Sequence, residues 1–73
     1  MTTAEEIKKL IEAGLPNATV VVKGDDGAHF EATVTSPDFA GKLPIAQHRM
    51  VYATLGDRMG VEIHALALTT RAG

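Results

Sequence analysis

Ala4, Ile7, Leu10 and Ile11 recur at helical spacing, while Glu5, Lys8, Lys9 and Glu12 fall on the opposite face. Thr3 followed three residues later by Glu6 is a capping-box signature, and Gly14 with Pro16 stops the helix. The period then changes. Thr19 to Lys23 is a β-branched run that predicts a strand. His29 to Thr35 alternates strictly, with Phe30, Ala32 and Val34 on one face and His29, Glu31, Thr33 and Thr35 on the other. Between them, Gly24-Asp25-Asp26-Gly27 carries the turn residues of a hairpin.

Ser36-Pro37 reads as an N-cap with proline in the first helical position, which predicts a single turn from Pro37 to Ala40 ending at Gly41. Pro44 opens a longer helix whose stripe is His48, Val51, Tyr52, Leu55 and Met59, with Gly60 closing it. Val61 to Leu68 predicts a last strand, in which Val61, Ile63, Ala65 and Ala67 alternate with Glu62, His64, Leu66 and Leu68. The order is helix, strand, strand, short helix, long helix, strand. A strand–helix–strand crossover lets the third strand lie parallel to the second, with a right-handed connection. The expected class is α+β, one domain over residues 1–73, with a three-stranded mixed sheet and the helices packed on one face. Parity then puts Ile63 and Ala65 on the helix side with Phe30, and turns His29 and His64 to the open side.

Composition narrows the chemistry. The 73 residues include no cysteine, which removes disulfides, thiolate metal sites and a cysteine nucleophile. A net charge of −2 gives no general attraction for phosphate backbones. The apolar runs are far shorter than a bilayer span, and the first residues are neither basic nor apolar, so the expected compartment is the cytoplasm. Ser36 is explained by its cap, and Asp25 and Asp26 read as turn formers, so no enzyme is expected. Gly24 to Gly27 superficially matches the Gly-x-x-Gly loop of nucleic-acid-binding KH domains. That loop joins two helices, whereas this one joins two strands and carries two carboxylates that would repel phosphate.

Of the histidines, His29, His48 and His64, each alone reads most simply as a surface or packing residue. Two imidazoles on one face are compatible with an incomplete metal site, whose other ligands a partner would have to supply.

The stretches Phe39-Ala40-Gly41-Lys42, Gln47 to Leu55 (Gln47-His48-Arg49-Met50-Val51-Tyr52-Ala53-Thr54-Leu55) and Glu62-Ile63-His64-Ala65-Leu66 together resemble the BolA family signature in order and spacing. Asp26-Gly27-Ala28-His29-Phe30 resembles the subgroup with histidine in the hairpin loop. The resemblance implies a KH-like fold and a non-enzymatic adaptor that pairs with a monothiol glutaredoxin. The pair would share a [2Fe–2S] cluster, with glutathione and the glutaredoxin cysteine among its ligands and none of it bound to the isolated protein. It assigns the family's metal-binding histidines to His64 and His29, and implies a monomer without cluster and a heterodimer with it. The alternative it carries is a stress-response transcription regulator contacting nucleic acid or a partner through Lys42, His48, Arg49 and Arg58. Gln47 departs from the arginine usual before His48-Arg49, which weakens a basic surface there.

Overall fold

The computed structural model describes residues 2–24 and 26–73, so Asp25 of the acidic turn lies outside the described residues. The first helix, α1 (Ala4–Gly14), begins where Thr3 takes the Glu6 N–H on its hydroxyl oxygen at 3.2 Å. This satisfies one of the donors that a helix start leaves free. The hairpin strands β1 (Thr19–Lys23) and β2 (His29–Thr35) have the predicted bounds and pair antiparallel, Thr19 opposite Thr35 and Lys23 opposite Glu31. A one-turn 3-10 helix (Pro37–Phe39) follows, its Ser36 cap accepting the Asp38 N–H.

The second long helix, α2 (Pro44–Leu55), is shorter than the sequence suggests. Its stop is Gly56, at φ 55°, a conformation that favours glycine, and a 3-10 turn (Gly56–Arg58) replaces the expected continuation to Met59. The last strand is also displaced. β3 runs from Ala65 to Arg71, whereas the alternation predicts Val61 to Leu68. The cause is local hydrogen bonding. The Arg58 carbonyl accepts the N–H groups of Val61 (3.3 Å), Glu62 (2.9 Å) and Ile63 (2.9 Å), and Gly60 donates to the Ile63 carbonyl at 2.9 Å. The N–H groups of Val61, Glu62 and Ile63 are thus taken up in a turn rather than in the sheet ladder, which begins at Ala65.

β3 lies parallel to β2 in the sheet order β1-β2-β3, with His29 opposite Ala65 and Thr35 opposite Arg71. Leu66 and Leu68 therefore point with Phe30 and Ala32 into the core, and Ala65 and Ala67 point away. This reverses the predicted parity of β3. Ile63 is fully buried, as expected, but it reaches the core from the turn rather than from a strand. The helices cover one face only: Ile7 and Ile11 of α1 with Val51 and Leu55 of α2 bury against Val20, Phe30 and Val34. The α+β arrangement, with a three-stranded mixed sheet under helices on one side, is as the sequence implies.

Two polar ties complete the frame. Gln47 donates from Nε2 to the carbonyls of Phe39 (3.2 Å) and Lys42 (2.9 Å), while its Oε1 accepts the Thr70 hydroxyl at 2.6 Å. One side chain thus joins the loop, α2 and β3. The buried Thr2 hydroxyl donates to Glu62 at 3.0 Å and pins the start of the chain to the turn before β3.

Candidate functional site

β2 extends past the end of β1. The last β1 pair is Lys23 with Glu31, so His29 and Phe30 pair only with β3. The chain leaving β1 folds back tightly here, and Gly24 makes that possible: a Cβ on it would sit 2.5 Å from Phe30 Cδ1 and 2.7 Å from the His29 carbonyl oxygen. Asp26 then organises the turn. Its Oδ1 accepts the N–H groups of Ala28 (2.9 Å) and His29 (2.8 Å), and its Oδ2 lies 2.9 Å from His29 Nδ1. The backbone bond from His29, then that from Ala28, then the imidazole contact hold the Asp26 carboxyl well below the usual carboxylate range. It is a carboxylate throughout the physiological range.

His29 is the first residue of β2 and its side chain is 75% exposed, so no packing fixes the ring. His64 is exposed at the bend before β3. The prediction that it lies within a paired strand, aimed by parity, is overturned. Ala65 faces outward, so an extended residue at 64 would point into the core, and the bend at His64 keeps it in solvent instead. The two histidines nonetheless come to the same end of the sheet. His29 stands opposite Ala65, the residue after His64, and the Ala65 N–H donates to the Ala28 carbonyl at 3.2 Å. Beside them the small Ala65 and Ala67 leave an open depression of about 590 Å³, rimmed by Lys23, Asp26, His29 and Glu31.

The donor set fits a shared metal group. A metal-binding imidazole commonly gives its second N–H to a carboxylate, the part Asp26 is placed to play. Among the described residues no three His, Asp or Glu side chains gather into a group that could hold a metal by itself, so a metal here would need ligands from outside this chain.

The other sequence candidates lie elsewhere. His48 is half-buried on α2, one turn from the buried Val51. Lys42, Arg49 and Arg58 are exposed and lie in the loop before α2, on α2 and in the turn after it, with a helix about 18 Å long between the first and the last. Gln47 is committed to its three bonds rather than facing a ligand. Asp26 was legible only as a turn former, although its spacing of three residues from His29 is one at which an aspartate bonds back to the chain.

The BolA-like protein family model matches residues 10–73. The chain is 42% identical over 66 residues to the DNA-binding transcriptional regulator BolA of Vibrio cholerae, an alignment covering 90% of this chain and 58% of that protein. It spans less than half the length of several other curated relatives. Among solved structures, a bolA protein homologue from Coxiella burnetii superposes with a TM-score of 0.86 at 46% identity, covering 97% of this chain and 91% of that one. The solution structure of the XC975 protein is 68% identical, with a TM-score of 0.63 over 93% of this chain and 85% of that one.

Proposed function

The chain belongs to the BolA family, and from that premise we infer that it is a non-enzymatic iron–sulfur adaptor that pairs with a monothiol glutaredoxin. His29 and His64 contribute ligands to a [2Fe–2S] cluster held between the two proteins, in the histidine-loop manner, and the glutaredoxin cysteine and glutathione contribute the others. The observation that carries this reading is the pairing of His29 with Ala65 across parallel strands, which brings both imidazole-bearing positions to one exposed end of the sheet. The Asp26 contact to His29 Nδ1 supports it, because it leaves the outer nitrogen free. Mixed nitrogen and sulfur ligation suits such a cluster. The Ala65 and Ala67 depression gives a partner's backbone somewhere to approach. On this reading the cluster is cargo, and the chain works in the cytoplasm as a monomer without it and as a heterodimer with it.

The test is to mix the protein with glutathione-loaded monothiol glutaredoxin and iron–sulfur reagents, then record the visible spectrum. A heterocomplex spectrum distinct from that of the glutaredoxin homodimer is expected. His29→Ala and His64→Ala should each remove that distinct spectrum, and the double variant should add little, because one remaining imidazole cannot close the site. His48→Ala should leave it in place. Both exposed histidines lie outside the core, so the variants should unfold within about 0.5 kcal/mol of the parent. A heterocomplex spectrum unchanged in the folded double variant would remove the ligand assignment.

The name of the Vibrio relative favours a second reading, a DNA-binding regulator. The exposed Lys42, Arg49 and Arg58 are its observation here. With a net charge of −2 and cations spread along α2, duplex binding should be sequence-indifferent and no tighter than about 10⁻⁶ M at physiological salt. A gel-shift titration showing nanomolar, sequence-selective binding would put this reading first.

A further inference from the structure

The Asp26 carboxylate divides its two oxygens between different tasks. Oδ1 takes the backbone N–H groups of Ala28 and His29, which closes the turn. Oδ2 faces His29 Nδ1 at 2.9 Å, and that contact is the ring's one hydrogen bond among the described residues. A carboxylate has no proton to donate, so in a neutral imidazole the proton of this bond sits on Nδ1 and Nε2 keeps its lone pair. Of the two nitrogens, Nε2 is also the one with no hydrogen-bond partner among the described residues. An imidazole this exposed, without the aspartate, would rotate and exchange tautomers freely.

We propose that Asp26 is the positioning residue of His29, fixing the tautomer and direction of the ring so that Nε2 is the atom presented to a metal. The proposal rests on the reading of His29 as a ligand given above, but its first half, control of the tautomer, belongs to the protein alone. Without Asp26 the ring would present a protonated nitrogen for part of the time and would have to be oriented at the moment of binding. Outer partners of this kind typically alter metal retention by about 10- to 100-fold.

Asp26→Asn separates the two tasks. Its side-chain oxygen still accepts the Ala28 and His29 N–H groups, and those two donors fix which way the amide faces. The amide NH₂ then takes the place of Oδ2 and donates to Nδ1, which forces the proton onto Nε2. In ¹⁵N-labelled protein without cluster, at alkaline pH where imidazoles are neutral, long-range ¹H–¹⁵N spectra should show a bare His29 Nε2 in the parent and a bare Nδ1 in Asp26→Asn. Asp26→Ala should show a mixture. Unchanged amide signals of residues outside the hairpin establish that the variants are folded. In the glutaredoxin complex, Asp26→Asn should lose its cluster to a chelator about 10- to 100-fold faster than the parent. A His29 ring with the same tautomer in parent and Asp26→Asn would overturn the proposal, as would an inverted tautomer with unchanged cluster retention where His29→Ala itself weakens retention. If the tautomer inverts while His29→Ala leaves the cluster untouched, the ligand reading fails and the control of the ring by Asp26 stands.

Discussion

Phe39→Ala is expected to remove most of the stability of the fold. Phe39 is 0% exposed and is the largest of the fully buried side chains. Truncating a buried phenylalanine costs about 3–5 kcal/mol, from the lost transfer energy and the cavity left behind. A domain of this length has a total stability on the order of 5 kcal/mol. The one-turn helix carrying Phe39 is also tied by its Ser36 N–H to the Arg71 carbonyl and by Asn17 to Asp38, but the ring is its buried anchor. Urea unfolding followed by circular dichroism measures the effect, with Phe39→Leu as a near-volume control costing under about 1.5 kcal/mol. A Phe39→Ala midpoint within about 1 kcal/mol of the parent would mean that the site collapses around the gap. Phe39 opens one of the stretches by which the chain resembles its family, and its place in the core makes that stretch a folding signal.

Gly24→Ala should cost about 1–3 kcal/mol and displace His29. Gly24 is not among the glycines with positive φ, so the obstacle is space rather than backbone conformation. Of the atoms a Cβ would meet, the Phe30 ring at 2.5 Å can tilt at the expense of core packing, but the His29 carbonyl oxygen at 2.7 Å is backbone and cannot rotate away. The hairpin end must open, which moves both the His29 N–H and the Asp26 oxygen that receives it. The expected signature is a lowered thermal midpoint together with large amide shifts at Asp26, Ala28 and His29, and a weakened glutaredoxin complex. Shifts confined to Lys23 and Gly24, with an unaltered midpoint, would contradict the close approach.

The hairpin was legible residue by residue because its alternation runs unbroken from His29 to Thr35, with apolar side chains inward and polar ones outward. α1 was legible for a similar reason, since cap, stripe and stop agree. The end of the chain was not. Val61 to Leu68 alternates as a strand would, but alternation does not register that the Arg58 carbonyl collects three N–H groups and withholds them from the sheet. The parity of the last strand was lost with its start, and with it the reason for placing His64 within a paired strand. What survived was the topology: a parallel crossover brings the start of β3 beside the start of β2 wherever its first residue falls. Gln47 shows another limit of reading residues by charge. It is conspicuous in the sequence as a missing cation, yet in the fold it is a three-way clasp. Asp26 combines the turn-forming role given by its type with a contact to His29 that only the bent backbone creates.

The parallel pairing of β2 with β3 also sets when the site comes into being. His29 and its partner Ala65 are 36 positions apart along the chain, with α2 and two turns folded between them. Contacts of such long sequence separation form only after the intervening loop has been closed, which places them late in folding. The hairpin alone, or α1 docked on it, holds one imidazole and no second. A nascent or partly unfolded chain is therefore unable to present both histidines, and anything that needs the two together is accepted by the finished protein alone.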